Sequence, residues 1–566
     1  MISEADHLTR LRALWDRNWP EGLPREAQHP FGEIALTEYL REWARRSPEK
    51  AAFIWYGAEI SFAQLDADSD RFAAMLQGMG LAPGDRVAVF LPNCPQFVTA
   101  FFGILKAGCV HVPVNPLFRE AELDYELNDA GAEVLIALDR LMPLVRAVRH
   151  RTPVRRVLVT SLAEVLPEAP TFPIPDSLQG PAEPCPDAEP LAEALAAAPA
   201  RPAAVAIDLD APAALNYTGG TTGMPKGCVH TQRDMIYTAA TTVPIGLGAT
   251  EDDVGVCFYP VFWIAGEDLG LIFPVFAGMT MVLMGRWDPV GFMAAVEAHK
   301  VTVASLLVDN AVEVMEHPRA ADFDLSSLDK VRVSSFVKKL NPEFRARWRD
   351  LTGSVMIEAA WGMTETHTCD TFTTGMQDGD HDLISQPVFV GLPVPGTEFK
   401  ICDFETGAIL PLGAEGEICV RSPSNLKAYW NKPEATAQAL RGGWLHTGDI
   451  GVLDEDGCLH FLGRRKEMLK VNGMSVFPAE LEALLGRHPA VLGSGVIGRE
   501  DAAKGQVPVA FIRLDPVRGA AETAETLAAW CRANMAVYKA PEVRIVDELP
   551  MTATGKVKKE ELARLL

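Results

Sequence analysis

The feature that most constrains this chain is a twelve-residue segment, 216–227, which contains four glycines, three threonines and a single lysine. A loop rich in glycine can turn tightly and present its backbone amides to phosphate oxygens, while a lysine supplies positive charge. The segment is not the P-loop of kinases and ATPases. That pattern requires Gly-Lys-Ser/Thr leading into a helix, whereas Lys226 lies between Pro225 and Gly227. The residues therefore predict a phosphate-binding loop of a different type.

Composition and charge narrow the classes of partner. A chain of 566 residues with 48% hydrophobic residues is long enough for about three or four domains with sizeable cores. The net charge of −23 argues against a nucleic-acid partner and against a polybasic membrane contact. Anionic ligands would have to be bound by local lysines, arginines and loop amides.

The cysteines and the apolar segments indicate a cytoplasmic protein. Ten cysteines are scattered without a Cys-x-x-Cys pair, which predicts reduced, buried thiols and neither a zinc site nor a disulfide framework. The N-terminus has no basic segment followed by an apolar run, so no secretory signal is expected. The longest apolar run, 269–285, is broken by Pro274 and Gly278 and is too short for a transmembrane segment.

Apolar runs alternate with helical spacing along much of the chain. Residues 1–30 are polar and proline-rich and predict a loosely attached leader, and 166–206, rich in Pro and Ala, predicts a surface excursion. Two strand–helix–strand patterns are predicted, at 86–91, 96–107 and 110–114, and at 279–283, 289–299 and 301–307. Such units predict an α/β fold of stacked, mostly parallel sheets with covering helices.

Four further segments of distinctive composition follow the loop in order. They are 360–366 (Ala-Trp-Gly-Met-Thr-Glu-Thr), 443–451 (Gly-Trp-Leu-His-Thr-Gly-Asp-Ile-Gly), 463–473 (Gly-Arg-Arg-Lys-Glu-Met-Leu-Lys-Val-Asn-Gly) and 550–557 (Pro-Met-Thr-Ala-Thr-Gly-Lys-Val). With the loop, these segments resemble the motifs of the adenylate-forming (ANL) superfamily, which includes acyl-CoA synthetases, adenylation domains of peptide synthetases and luciferases. The resemblance extends over about residues 34–562.

The resemblance implies an acid–thiol ligase that works in two half-reactions. A carboxylic acid attacks the α-phosphorus of Mg-ATP to give an acyl-adenylate and pyrophosphate, and CoA then displaces AMP. It also implies a large N-terminal domain, 31–465, that binds acid and ATP, and a small mobile α+β cap domain, 466–566, that turns on the hinge residue Lys466. The sequence leaves the oligomeric state open, a homodimer included.

The resemblance also assigns roles to individual residues. Glu365 holds Mg²⁺, and Lys556 neutralises charge between the reacting carboxylate and α-phosphate. Asp449 accepts hydrogen bonds from the ribose hydroxyls, and Trp361 covers the adenine. The full ATP/AMP-binding set is Thr218, Gly219, Gly220, Thr221, Thr222, Gly223, Lys226, Trp361, Gly362, Thr364, Asp449 and Arg464; CoA is assigned to Lys470 and Gly473, and the acyl pocket to Trp263, Gly266, Phe336 and Val337.

Three departures from the family pattern concern the acyl pocket and its surroundings. Trp263 replaces a histidine, Gln232 replaces another, and Phe336-Val337-Lys338-Lys339 stands where Gly-Gly-Ala-Pro is usual. These changes predict either a shortened or unusually polar pocket, with Glu267, Asp268, Lys338 or Lys339 reaching a polar group of the substrate, or a local backbone shift that absorbs them.

The segments 218–223 and 444–449 most resemble those of bacterial fatty-acyl-CoA ligases, which implies a medium or long fatty acid as the default substrate. Aryl, short branched and dicarboxylic acids remain as alternatives. Other readings are an acyl-AMP ligase that loads a carrier protein, a catalytically silent adenylate sensor, and a luciferase-like oxygenase. Retention of Glu365, Asp449, Arg464 and Lys556 argues against the silent sensor.

Overall fold

Two parallel sheets form the centre of the computed structural model, which describes residues 3–218, 224–385, 388–471, 474–501, 504–552 and 555–566. Each has seven strands, and in each only the last pair in spatial order is antiparallel. One sheet has the order Val355–Glu358, Lys330–Ser334, Val303–Leu307, Val254–Cys257, Thr280–Leu283, Ala51–Trp55 and Ala58–Ser61. The other has the order Glu189–Pro190, Arg156–Thr160, Val134–Leu138, Arg86–Phe90, Val110–Pro113, Pro212–Tyr217 and Gly227–Thr231.

Several strands of these sheets are buried along their whole length, as expected of parallel sheets that are covered on both faces. All five residues of Val134–Leu138 and all four of Thr280–Leu283 are buried. The predicted α/β class is confirmed. Both strand–helix–strand units also form where they were predicted, with helices at Pro95–Lys106 and Pro289–His299.

Two antiparallel sheets follow. The third sheet has the order Thr371–Phe372, Val388–Pro393, Leu459–Arg464, Trp444–Leu453, Gly416–Arg421 and Glu398–Cys402, with Leu440–Arg441 beside Trp444–Leu453. The fourth has the order Met474–Val476, Leu469–Val471, Gly505–Leu514 and Val491–Asp501, with Glu542–Ile545 parallel to Gly505–Leu514. We call the part of the chain from Leu469 onward, which carries the fourth sheet, the cap.

Helices cover the sheets. In the parts of the chain that are described they are Glu4–Asn18, Leu36–Arg46, Phe62–Gly78, Pro95–Lys106, Glu120–Ala130, Met142–Arg149, Leu191–Ala197, Gln232–Thr241, Ile264–Glu267, Phe273–Ala277, Pro289–His299, Val308–Glu316, Pro342–Thr352, His381–Ile384, Pro433–Ala439, Pro478–Leu485, Ala524–Asn534 and Lys559–Ala563. Two π-helical turns, Thr242–Leu247 and Asp268–Ile272, adjoin three of them. Among these described helices, none has the length and apolar character needed to cross a bilayer.

The N-terminal segment differs from the expectation of a loosely attached leader. Its helix Glu4–Asn18 buries Leu8, Leu11 and Trp15 against the third sheet, and the Trp15 indole donates a hydrogen bond to the Gly457 carbonyl at 2.8 Å. The apolar side chains recur three and four residues apart, which places them on one helical face. The sequence contains this helical spacing, but the polar and proline-rich composition of residues 1–30 favoured the prediction of a loosely attached leader.

Candidate active site

Residues from three distant segments meet at Asp449. Asp449 and Arg464 are register partners on neighbouring strands, and Arg464 Nε lies 3.3 Å from Asp449 Oδ1. The indole Nε1 of Trp361 donates to Asp449 Oδ2 at 3.1 Å. Antiparallel pairing places the first two side chains together, and the loop after Val355–Glu358 brings the third. Three predicted nucleotide-binding residues thus form one cluster.

The environment of Asp449 suits a hydrogen-bond acceptor. Burial raises the pKa of this carboxyl group to about 6, while Arg464 and the Trp361 hydrogen bond oppose the rise. Its Oδ1 atom is buried and has no hydrogen-bond partner among the described residues. Buried polar atoms in folded proteins are normally paired. The atom can therefore accept a hydrogen bond from a bound hydroxyl group.

Tyr429 links the phosphate loop to Glu365, and sequence reasoning did not single it out. Its hydroxyl donates to Glu365 Oε1 at 2.8 Å, and Lys226 Nζ lies 4.1 Å from the centre of its ring. The backbone N–H of Leu426 donates to the Glu365 carbonyl at 2.7 Å. Because the Lys226 ammonium lies over the ring face of Tyr429 and the Glu365 carboxylate accepts from its hydroxyl, Tyr429 sets the distance between these two predicted site residues.

The two ends of the phosphate loop are closed on each other. Thr218 N–H donates to the Lys226 carbonyl at 3.0 Å, and Thr218 Oγ1 accepts from Lys226 N–H at 3.4 Å. Gly219, Gly220, Thr221, Thr222 and Gly223 lie outside the described residues. Lys226 is thereby held at the base of the loop, next to Tyr429.

The segment around Trp361 and Glu365 is fixed by its own backbone. A Cβ atom on Gly362 would lie 1.2 Å from the Thr368 carbonyl oxygen, so only glycine fits at that position. The Thr364 carbonyl accepts a hydrogen bond from His230 Nε2 at 2.7 Å. The close approach of Gly362 to Thr368 and the hydrogen bond at Thr364 therefore fix the backbone that carries Glu365.

Lys556 reaches this cluster from the cap. Its ammonium group lies 5.0 Å from the centre of the Phe336 ring. Although the residue as a whole is exposed, protein atoms around the ammonium lower its pKa, and the positive charge of Arg464 adds to that effect. The negative charge of Asp449 acts in the opposite direction. The cap is thus oriented with its predicted catalytic lysine toward the cluster that is predicted to bind the nucleotide.

Two residues predicted to line the acyl pocket lie beside the cap. Phe336 is 37% exposed and its ring is next to Lys556. Val337 is buried in a cluster with the cap residues Ile497, Val509, Phe511, Leu549 and Leu562. The bulky replacement for Gly-Gly-Ala-Pro therefore forms a contact between the large domain and the cap.

Trp263 immediately precedes the short helix Ile264–Glu267, and Gly266 is the third residue of this helix. A Cβ atom on Gly266 would lie 2.0 Å from the Pro260 carbonyl oxygen, so the helix approaches the preceding loop too closely for any side chain. A small cavity of about 10 Å³ lies nearby, lined by apolar residues that include Leu247, Leu269 and Phe273. That volume corresponds to about one water molecule. Binding of an acyl chain there requires side chains to move.

Glu267 is fully buried and lies among other polar side chains. Asn216 Nδ2 donates to Glu267 Oε2 at 3.2 Å, and His111 Nε2 lies 3.6 Å from the same oxygen. Burial raises the pKa of Glu267 to about 8 and lowers that of His111 to about 3. Burial thus favours the neutral form of both side chains.

Asp268 and His367 form the other half of this buried network. His367 Nδ1 lies 3.1 Å from Asp268 Oδ1, and the Thr368 hydroxyl donates to Asp268 Oδ2 at 2.6 Å. Burial disfavours the charged imidazole, but the carboxylate of Asp268 outweighs it and raises the pKa of His367 to about 9. The centres of the His367 and His230 rings lie 4.8 Å apart, and the two rings meet edge to face. The network thus extends beneath the segment that carries Glu365.

The predicted hinge lies between the third sheet and the cap. Lys466 is in the turn Arg465–Glu467, between the strands Leu459–Arg464 and Leu469–Val471. Lys470 is exposed on the second of these strands, and its backbone N–H donates to Gln506 Oε1 at 2.9 Å. Gly473 lies outside the described residues.

Comparison with known protein families gives two matches along the chain. The model of the AMP-binding enzyme family matches residues 40–430, and that of the AMP-binding enzyme C-terminal domain matches residues 480–556. Among curated proteins, a long-chain-fatty-acid–CoA ligase of Bacillus subtilis is 33% identical over 561 residues, which is 97% of each chain. A protein of the same name from Salmonella typhimurium is 32% identical over 98% of each chain.

Solved structures agree with these matches. The anthranilate CoA ligase AuaEII in complex with anthranoyl-AMP superposes with a TM-score of 0.80 at 28% identity, covering 96% of this chain and 98% of that one. ATP-bound MatB from Rhodopseudomonas palustris gives a TM-score of 0.78 at 27% identity, covering 94% and 99%.

Proposed function

Because this chain belongs to the AMP-binding enzyme family and is an AMP-forming acyl-CoA ligase, we propose that its substrate is a medium or long fatty acid. The acid and ATP give an acyl-adenylate and pyrophosphate, and the CoA thiol then displaces AMP to give the thioester. Two relatives that align over nearly their whole length are named long-chain-fatty-acid–CoA ligase, which supports a substrate with a medium or long acyl chain. Ten free cysteines fit a reducing, cytoplasmic location, which we include in the proposal.

The observation that carries the adenylation step is the approach of Lys556 to the Asp449–Arg464–Trp361 cluster. In this proposal Asp449 binds the ribose hydroxyls, Trp361 and Gly362 adjoin the adenine, and Lys226 holds the β- and γ-phosphates with the loop. A carboxylate oxygen attacks the α-phosphorus in line, and pyrophosphate leaves. Lys556 balances the charge that builds up between the two anionic reactants, which is the largest barrier to their approach.

Glu365 fits a role in holding Mg²⁺. Magnesium prefers hard oxygen ligands and is usually bound by one or two carboxylates together with phosphates and water. Tyr429 fixes the Glu365 carboxylate beside Lys226 and the base of the loop, where the phosphates would lie. When bound there, the ion would neutralise phosphate charge.

For the second half-reaction we propose that the cap turns about Lys466 and withdraws Lys556. Lys470 and Gly473 then adjoin the path of CoA. The division into 31–465 and 466–566 is part of this proposal, with the N-terminal helix Glu4–Asn18 packed against the first of these units. It is supported by the turn Arg465–Glu467, which separates the third sheet from the cap sheet.

A shorter or aromatic acid is the second candidate. The similarity to a solved anthranilate CoA ligase favours it. Binding of a long chain would have to open the cavity between Leu247 and Leu269, which lie in or beside the two π-helical turns. Such turns are frequent at functional sites.

Pyrophosphate release from Mg-ATP tests both candidates. Fatty, aryl and dicarboxylic acids of graded length are each assayed with and without CoA, with Lys556→Ala as the blank. Release that depends on a fatty acid and increases with CoA supports the proposal. Release with aryl acids alone supports the second candidate. Release without any stimulation by CoA indicates a carrier-protein acceptor and contradicts both.

A further inference from the structure

Arg332 holds its guanidinium group inside the protein without an acidic partner. It lies in the strand Lys330–Ser334, and although the residue as a whole is partly exposed, the protein atoms around the guanidinium lower its pKa to about 10. The charge of Asp329 opposes this shift from beyond ion-pair distance. Arg332 Nε donates a hydrogen bond to the Gly246 carbonyl, and within the described part of the chain this side chain forms no other hydrogen bond or ion pair. Four of its five N–H donors are therefore left for a bound group.

Other cations in comparable positions of this protein are paired. Lys330, two residues earlier on the same strand, has its ammonium 2.7 Å from Oδ1 of the buried Asp253. Arg345 is buried, and its guanidinium lies 2.6 Å from Asp382 Oδ2. Charged groups are costly to remove from water and are normally paired where they are buried. The fold thus supplies a carboxylate to each of these two cations but not to Arg332.

Arg332 adjoins the small apolar cavity described above. Its register partner Ser305, on the neighbouring strand, lines that cavity together with Val303. Leu247, which also lines it, directly follows the Gly246 carbonyl that Arg332 contacts. Register partners on adjacent strands project from the same face of a sheet. Arg332 therefore lies on the cavity side of its sheet, next to two elements that form the wall.

The opposite wall of the cavity leads toward the predicted acyl pocket. Leu269 lines the cavity and lies in the π-helical turn Asp268–Ile272, which directly follows the helix that carries Gly266. An acyl chain that opens the cavity from this side contacts apolar residues and then meets the charge of Arg332. A methyl terminus would only remove water from that charge. A carboxylate can accept two parallel hydrogen bonds from a guanidinium group.

We propose that Arg332 binds a second carboxylate at the far end of the acyl chain, so that the substrate is an α,ω-dicarboxylic fatty acid. This inference rests on the proposed function and narrows its acid substrate. The terminal nitrogens of Arg332 donate to the second carboxylate, while Nε keeps its hydrogen bond to Gly246. The second carboxylate supplies the ion-pair partner that the described residues do not provide, and the first carboxylate remains free to react with ATP.

Matched acids test the proposal in the unmodified enzyme. Pyrophosphate release from Mg-ATP with CoA is measured for α,ω-dicarboxylic acids of graded chain length. The monocarboxylic acid, the ω-hydroxy acid and the dicarboxylic monomethyl ester of matching length are measured beside each one. Hydrogen bonds to a charged group change binding by roughly 10- to 100-fold, so we expect kcat/KM for the preferred diacid to exceed that for its ester by this factor. The ester has a similar length without the second charge, so it separates charge from size.

Arg332→Gln should remove this preference. We expect kcat/KM for the diacid to decrease by roughly 10- to 100-fold, mainly through KM, while the monocarboxylic acid is used at least as well as before. Arg332→Lys keeps a positive charge and should retain part of the preference. Arg319→Gln, which removes only an exposed ion pair with Asp322 at 3.1 Å, should leave every rate unchanged. A purely structural role for Arg332 would instead lower the rates with all acids by the same factor.

Three results would overturn the inference. They are equal use of the diacid, its ester and the monocarboxylic acid by the wild-type enzyme, better use of the ω-hydroxy acid than of the diacid, and equal losses with all acids in Arg332→Gln. The first two need no variant and so do not depend on how Arg332→Gln folds. In each of the three cases, release that increases with CoA still supports the proposed function. No release with any acid would overturn both.

Discussion

The ammonium group of Lys556 lies 5.0 Å from the centre of the Phe336 ring. One residue belongs to the cap and the other to the segment that replaces Gly-Gly-Ala-Pro in the large domain. A glycine at position 336 would offer no surface to the lysine. The aromatic ring therefore holds the lysine near Asp449 and Arg464, where the proposed adenylation takes place.

Phe336→Leu should slow adenylation without affecting thioester formation. A cation–π contact at a partly exposed site contributes about 0.5–1 kcal/mol, so we expect a decrease of roughly two- to fivefold in pyrophosphate release. Phe323→Leu removes a similar contact with Arg319, 5.2 Å from the ring on the surface, and serves as the control. Equal losses in the two variants would contradict a positioning role for Phe336.

Lys556→Ala should separate the two half-reactions. Loss of a group that stabilises developing charge costs about 100- to 1,000-fold in rate, and we expect this loss in pyrophosphate release. Thioester formation from synthetic acyl-adenylate should be unchanged. Lys558→Ala, which removes only an exposed ion pair with Glu561 at 2.9 Å, should affect neither step. A parallel loss in both steps for Lys556→Ala would show that the lysine does not act in adenylation alone.

The contact between Val337 and Gly493 predicts a third effect. A Cβ atom on Gly493 would lie 2.3 Å from Val337 Cγ1, so Gly493→Ala should prevent the cap from seating as observed. We expect slower adenylation and unchanged thioester formation. Val337→Ala removes the opposing methyl groups and should restore adenylation in the double variant. Failure of this rescue would mean that the alanine acts within the cap.

Asp449 predicts the pH dependence of nucleotide binding. Because its pKa is raised to about 6, the carboxyl group of the free enzyme is ionised above that pH and protonated below it. A protonated carboxyl is a weaker acceptor, so the KM for ATP should rise as the pH falls through about 6, by up to about tenfold per unit. Asp449→Asn should have a high KM for ATP at every pH. The pH profile of this variant gives the contribution from the titration of ATP itself, which is then subtracted. Identical profiles would exclude Asp449 as the titrating group.

The parallel sheets could be predicted because their signals are local, and so could the motifs whose residues Trp361, Asp449 and Arg464 lie together. A strand such as Val134–Leu138 is apolar at every position, and each motif is contiguous in the sequence. The cap contact of Val337 could not be predicted, because it depends on how two domains dock. Tyr429 was missed since its ring acts between Lys226 and Glu365, which are more than a hundred residues apart.

The contact between Cys419 and His446 could not be predicted for a related reason. Only the register of two antiparallel strands brings these residues together. Register follows from turn geometry and from which face is buried, and neither can be read from a single cysteine.

The buried network around Glu267 predicts how the stability of the protein depends on pH. The folded-state pKa of Glu267 is about 8, against an ordinary value of 4.5, and that of His367 is about 9, against 6.5. Both are raised, so the folded state binds protons more tightly than the unfolded state. The stability from each group is fully present below its ordinary pKa and is lost as the pH rises through its folded pKa.

Glu267→Gln should therefore make the free energy of unfolding less dependent on pH below pH 8. The amide keeps the acceptor for Asn216 but cannot titrate, so the decline of the unfolding free energy up to pH 8, about 1.4 kcal/mol per pH unit for one group, should become smaller. The decline between pH 8 and 9 that belongs to His367 should remain. Urea unfolding from pH 6 to 9 measures both, with the exposed Glu193→Gln as control. An unchanged slope below pH 8 would mean that Glu267 is already ionised in the folded protein, and that Asn216 and His111 lie beside a buried negative charge.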